Sequence, residues 1–193
     1  GNTAFFSKSN YGLDIIDISN KASPSLISSY DTWGVQSVTL SADGNTAFVS
    51  SASNGVHILD VSDLANPTLT GNYRTTGRNL TDGVIHVTLS ADENTAFVTS
   101  FYDGLEIIDL GLSFANGDAS VSTSPSLTGT FDTSGAAYDV TLSADGNTAF
   151  VADYTSGLQI IDISNTASPS LTGAFDTSGP VSYTHLRAHE TRT

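Results

Sequence analysis

The strongest constraint on this chain is that it repeats itself. The tag "NTAF" begins at Asn2, Asn45, Asn94 and Asn147, and the tag "I[IL]D" begins at Ile15, Ile58, Ile107 and Ile160, always 13 residues later. A proline follows at Pro24, Pro67, Pro125 and Pro169, and "VTLSAD" begins at Val38, Val87 and Val140. Successive "NTAF" tags stand 43, 49 and 53 residues apart. Insertions at 74–86 ("RTTGRNLTDGVIH") and 111–125 ("GLSFANGDASVSTSP") account for the longer intervals. A rigid internal spacing with variable loops is expected of stacked units whose connections run over the surface.

Each copy reads as four short strands. "VTLS" alternates apolar and polar residues, the period-2 signal of a half-buried strand. "ADGN" is a hairpin turn in which Asp-Gly supplies positive φ. "TAFVAD" and "GLQIIDIS" are apolar, β-branched runs, and "SNTASP" turns into a last strand, "PSLTGAFDT". Proline lacks a ladder donor and is tolerated mainly at strand starts and on edges, so the fourth strand belongs on the outside of its sheet. No stretch shows a helical period. The expectation is an all-β fold, a β-propeller of four-stranded antiparallel blades. The apolar faces of the second and third strands should pack between blades, joined by Tyr30, Tyr73, Phe131 and Phe175. A β-sandwich is the runner-up, and it leaves the fixed 13-residue offset unexplained.

The strands "GLDIIDIS", "GVHILDVS", "GLEIIDLG" and "GLQIIDIS", each leading to a proline-initiated strand, resemble the LVIVD repeat over about residues 1–179. The resemblance implies a β-propeller, usually of six to eight blades, in bacterial or archaeal proteins that are often exported or surface-attached. It brings no catalytic motif. Copy three departs from the pattern with Glu93 in place of the turn glycine and Gly111 in place of serine. The first change suggests that Asn94 takes the left-handed position there.

The copies span about 1–37, 38–86, 87–139 and 140–179, and the chain opens inside a copy. The segment 180–193, "PVSYTHLRAHETRT", breaks register and composition, and residues 181–191 resemble a translated short-read sequencing adapter. We therefore expect the tail to be a sequencing artefact and the rest an open fragment of about three and a half blades, with the remaining blades of the same chain as its nearest partner. Such an arc, expressed alone, should be aggregation-prone or marginally stable. His185 and His189 have the four-residue spacing of paired metal ligands, but they lie in this tail and are set aside.

Charge narrows the partners. Twenty acidic residues stand against six basic ones, a net charge of −14, and there is no cysteine. That balance repels nucleic acid and anionic lipid, and thiolate metal sites and disulfides are excluded. No run is long and apolar enough for a transmembrane segment. Nucleophile elbows, phosphate loops, HExxH and calcium-loop spacing are all absent from the sequence.

Constant residues read as scaffold. Asp17, Asp60, Asp109 and Asp162 should accept backbone N–H groups at the turn into strand four, and Asp43, Asp92 and Asp145 should hold the hairpin. Positions that vary between copies are the candidates for binding. The residue before "VTLS" is Ser37, His86 or Asp139, at the mouth of the central channel. Loop ends after the second strand supply Tyr102, Asp103, Asp153 and Tyr154 as exposed polar and aromatic positions. Trp33 reads as packing or a rim contact, and Asn79 of "NLT" fits the glycosylation pattern.

These observations favour a non-catalytic propeller module of a secreted or cell-surface protein that binds protein, small-molecule or glycan ligands through variable loops. The alternative is a lactonase-like enzyme with a metal-assisted hydrolytic site in the channel, resting on His86 and Asp139. No cofactor is expected. Calcium has only the acidic charge in its favour.

Overall fold

The computed structural model describes residues 1–8, 11–52, 54–75, 83–115, 118–121 and 124–184. Its strands are β1 (Thr3–Lys8), β2 (Gly12–Asp17), β3 (Ser25–Tyr30), β4 (Val35–Leu40), β5 (Thr46–Ser51), β6 (Gly55–Asp60), β7 (Thr68–Tyr73), β8 (Val84–Leu89) and β9 (Thr95–Ser100). They continue with β10 (Gly104–Asp109), β11 (Leu112–Ala115), β12 (Asp118–Val121), β13 (Ser126–Phe131), β14 (Asp139–Leu142), β15 (Thr148–Ala152), β16 (Leu158–Asp162) and β17 (Ser170–Phe175). Among the described residues no helix is long and apolar enough to cross a membrane.

The strands form an open series of blades. The first sheet has the order β1-β2-β3, and the next three are four-stranded: β4-β5-β6-β7, β8-β9-β10-β13 and β14-β15-β16-β17. All pairings within them are antiparallel. The innermost strands β4, β8 and β14 lie beside one another in turn. Every proline-preceded strand (β3, β7, β13, β17) sits on a sheet edge. The insertion at 111–125 carries a two-stranded hairpin of its own, β11-β12.

The 13-residue offset is the geometry of one hairpin. Thr46 pairs with Asp60 and Ser51 with Gly55, so "NTAF" and "I[IL]D" face each other across β5 and β6. The same register recurs as Thr95 opposite Asp109 and Thr148 opposite Asp162.

The core lies between blades, in three layers. Leu13, Ile15, Val35, Val49 and Leu59 fill the first, Phe48, Ile58, Val87, Val98 and Ile108 the second, and Phe97, Ile107, Val140, Val151 and Ile161 the third. Burying an Ile, Leu or Phe contributes about 1.5–3 kcal/mol, so each layer gains what a single sheet cannot. Tyr30, Tyr73 and Phe131 join these layers as expected. Phe175 does not: it is 65% exposed, because no strand among the described residues covers the outer face of β17.

The constant turns do the scaffold work assigned to them. Ser41 Oγ donates to Asp43 Oδ1 (2.5 Å), which also accepts from Asn45 N (2.9 Å), while Thr46 N donates to Ser41 Oγ (2.9 Å). Ser90–Asp92 and Ser143–Asp145 repeat the arrangement. These bonds favour the ionised form and hold all three carboxyls below their ordinary range. At the other turn Asp17, Asp60, Asp109 and Asp162 each accept an N–H two residues on, at 2.8–2.9 Å. One expectation fails here. Glu93 itself adopts φ 58, in the place of Gly44 (φ 75) and Gly146 (φ 72), and Asn94 does not take a positive φ. The turn keeps its shape because Glu93 N still donates to Ser90 O (2.9 Å), and Glu93 Oε1 reaches Ala42 N (2.5 Å) in the preceding blade.

Candidate functional site

Because the strands alternate in direction, the two ends of the blades differ. One end carries the constant turns, 41–46, 90–95 and 143–148. The other carries the turns between second and third strands, the connectors between blades and the starts of the inner strands. All seven candidate residues lie at this second end, and it is where the copies differ.

A β-bulge between Val35 and Ser37, and another between Val84 and His86, begin the inner strands earlier than "VTLS" alone indicates. Bulges re-aim side chains at strand ends. The Ser37 hydroxyl turns to Ser50 Oγ (2.9 Å), whose own hydroxyl reaches Ile85 O (3.0 Å), so Ser37 serves blade packing. His86 and Asp139, from successive inner strands, meet: Nδ1 stands 2.8 Å from Oδ1, off the axis of a ring N–H donor. Burial pushes the Asp139 carboxyl up, but contact with His86 and the bond from Thr184 N (2.6 Å) outweigh it and hold the carboxyl low. Among the described residues no group of three or more metal-ligating side chains converges.

Asp153 departs from expectation. It is 0% exposed, accepting from Thr133 Oγ1 (2.8 Å) and Gly135 N (2.9 Å). Its carboxylate pins the connector into the fourth blade, as Ser51 Oγ pins the earlier connector by donating to Trp33 O (2.5 Å). Asp103 is half-buried, its carboxylate 3.2 Å from Ser100 Oγ. The Trp33 ring is exposed. Asn79, His185 and His189 lie outside the described residues. From the tail segment, Val181 pairs with Tyr154 and Thr184 reaches Asp139.

The remaining candidates belong to a ring cluster that the sequence did not disclose. Phe101 packs edge-on against Tyr102 (centroids 4.8 Å, planes at 68°) and against Tyr138 (5.9 Å, 67°). Tyr138 meets Tyr154 at 5.3 Å with planes at 34°. The cluster bridges blades three and four, with Tyr102 56% and Tyr154 37% exposed. Ala52, Phe101 and Tyr154 hold the same place, three residues before Gly55, Gly104 and Gly157. Blade two therefore has a methyl group where blades three and four present rings. Tyr154 adopts φ 36, a left-handed backbone that a tyrosine rarely takes.

Residues 1–32, 35–75 and 134–177 match the LVIVD repeat. No curated protein matches the chain in sequence. Among solved structures, the periplasmic gluconolactonase of Pseudomonas aeruginosa superposes with TM-score 0.70 at 17% identity, covering 93% of this chain and 55% of that one. The Cps50 β-propeller domain of Myceliophteria thermophila gives 0.70 at 13% (92% and 56%). A proposed 6-phosphogluconolactonase of Bacteroides uniformis gives 0.66 at 14% (95% and 52%). The chain spans about half the length of these structures, and at such identities the likeness establishes the β-propeller fold alone.

Proposed function

The chain belongs to the LVIVD repeat family, and on that premise we propose that it is a non-catalytic propeller module of a secreted or cell-surface protein, binding its ligand with the variable end of its blades. One observation carries the reading. The turns at one end keep the same Ser–Asp bond in the second, third and fourth copies, whereas the other end changes from Ala52 to Phe101 and Tyr154 at one repeat position. A scaffold has no need of that difference, and exposed tyrosines at loop ends are typical of recognition surfaces. An envelope location draws support from the family resemblance, from the periplasmic protein of similar fold and from the acidic composition. The test is a binding screen against protein, glycan and small-molecule panels with the wild-type chain and a Y102S/Y154S variant. Binding that the variant loses supports the reading, and equal binding by both refutes it. The reading assigns no cofactor. Melting unchanged by chelator or by added calcium is the expected result.

A second reading, a lactonase-like hydrolase, is favoured by the His86–Asp139 pair (2.8 Å) at the channel mouth and by the lactonases among similar folds. It needs a third metal ligand. Metal-dependent hydrolysis of an aldonolactone that H86A abolishes would put this reading first.

A further inference from the structure

We propose that Asn54 is a self-modifying residue: it loses its side-chain amide to attack by the backbone nitrogen of Gly55, and the turn of blade two accepts the aspartate that results. Asn54 is half-buried in the turn between β5 and β6, at the variable end of the blades. The attack needs a following nitrogen that no side chain shields. Among the described residues Asn54 alone is followed by glycine, and the other asparagines precede threonine, lysine, proline or tyrosine. The fold itself requires that glycine. Gly55 adopts φ 81, and a Cβ on it would stand 2.0 Å from Tyr73 O.

The reacting groups are loosely held. A backbone bond of this turn runs from Asn54 N to Ser51 O (3.3 Å). The same turn in blade four has Asp153 N donating to Gly157 O (2.8 Å) and Ser156 N to Asp153 O (2.7 Å). The glycine nitrogen is the donor in none of these. Asn54 Nδ2 reaches Thr32 Oγ1 at 3.5 Å, longer than an ordinary hydrogen bond, whereas Asn66 Nδ2 is held by Asp63 at 2.8 Å.

In the reaction the Gly55 nitrogen gives up its proton and bonds to Asn54 Cγ. The amide nitrogen leaves as ammonia, carrying that proton, and a succinimide closes. Water then opens the ring. Attack at Cγ gives aspartate, and attack at the backbone carbonyl gives isoaspartate. Blade three already holds an aspartate at this repeat position. Asp103 N donates to Ser100 Oγ (3.0 Å), Asp103 Oδ2 lies 3.2 Å from the same hydroxyl, and Gly104 takes φ 71. Ser51 occupies the place of Ser100, so the first product gives blade two the turn of blade three. Isoaspartate instead lengthens the backbone between Ser51 and Gly55 and disturbs their pairing.

The experiment ages the folded full chain in mildly alkaline buffer and maps its peptides by mass. The free peptide 51–57 (SASNGVH) and the N54Q chain run in parallel. The Asn-Gly pair at 116–117, outside the described residues, is mapped separately. The expected result is conversion of amide to acid at Asn54 at a rate comparable with that of the free peptide, retained amides at Asn45, Asn66 and Asn72, and no change at position 54 in N54Q. Retention of the Asn54 amide while the free peptide converts overturns the proposal. So does conversion that starts only once the circular dichroism signal of the sheets is lost. N54D should melt as the wild type does, and a clearly lower melting temperature would overturn the claim that the turn accepts the product.

Discussion

The Tyr30 hydroxyl, in the outer strand of the first blade, lies 3.1 Å from His57 Nδ1 in the second blade. Tyr73 stands near Glu106, so the second blade too presents a ring to the polar residue before "I[IL]D" of the next. The pairing makes the first interface sensitive to pH. Burial, and then the charge of Arg74, push the His57 imidazole below its ordinary value, because a charged ring there would lose its hydration. Tyr30 can donate to Nδ1 only while that nitrogen is unprotonated. A depressed folded value means that the unfolded chain binds the proton first. The interface is therefore fully stable above the ordinary histidine value of 6.5 and weakens as pH falls from there through the folded value. Thermal melts between pH 7.5 and 5 should show this loss in the wild type and a smaller one in H57Q. The turn aspartates, held below 3.8, lose their contribution only in more acid solution.

Blade contacts should separate two glycines that share one repeat position. A Cβ on Gly129 would stand 2.1 Å from Thr166 O in the next blade, whereas one on Gly173 meets nothing within 4 Å. G129A should cost about 1–3 kcal/mol through forced displacement of backbone. G173A should stay within about 0.5 kcal/mol of the wild type. Urea unfolding of both variants is the check, and equal effects would contradict the interface.

Glu93 stores strain in its turn. L-residues in the left-handed region cost about 1–2 kcal/mol, and glycine avoids that cost. The bond from Ala42 N to Glu93 Oε1 offsets part of it, at an exposed site where water can replace it. E93G should therefore raise the melting temperature, and E93V should lower it, since a β-branched residue tolerates positive φ least.

Asp153 and Tyr154 are neighbours with opposite roles. D153A leaves Gly135 N–H and Thr133 Oγ1 without their acceptor, which should cost about 1–3 kcal/mol for each buried group. Y154S should cost little stability and remove ligand binding. Parallel melts and titrations of the two variants separate the roles.

The blades were legible in the sequence because period-2 strands, turn chemistry and edge prolines recur in one register, and each repetition tests the others. Glu93 was misread because tolerance of positive φ was weighed by residue type alone. The hairpin hydrogen bonds fix which position must turn left-handed, whatever residue stands there. Asp153 looked like loop because "DYTSG" is polar. Alignment with Ser51 and Ser100, both at the buried end of the second strand, was the signal that could have placed it inside. The meeting of His86 with Asp139 follows from adjacent inner strands. The ring cluster does not follow from pattern at all, since Phe101 and Tyr138 touch across a blade boundary 37 residues apart in the chain. The contrast of Ala52 with Phe101 and Tyr154 was its only trace.

The variable end of the blades is the proposed working surface. The most direct measurement is an amide NMR map of the full chain with whichever ligand the panel screen returns. Shifts confined to 99–104, 136–139 and 152–157 are the predicted result. Shifts at the constant turns, 41–46, 90–95 and 143–148, with the aromatic end unmoved, would contradict it.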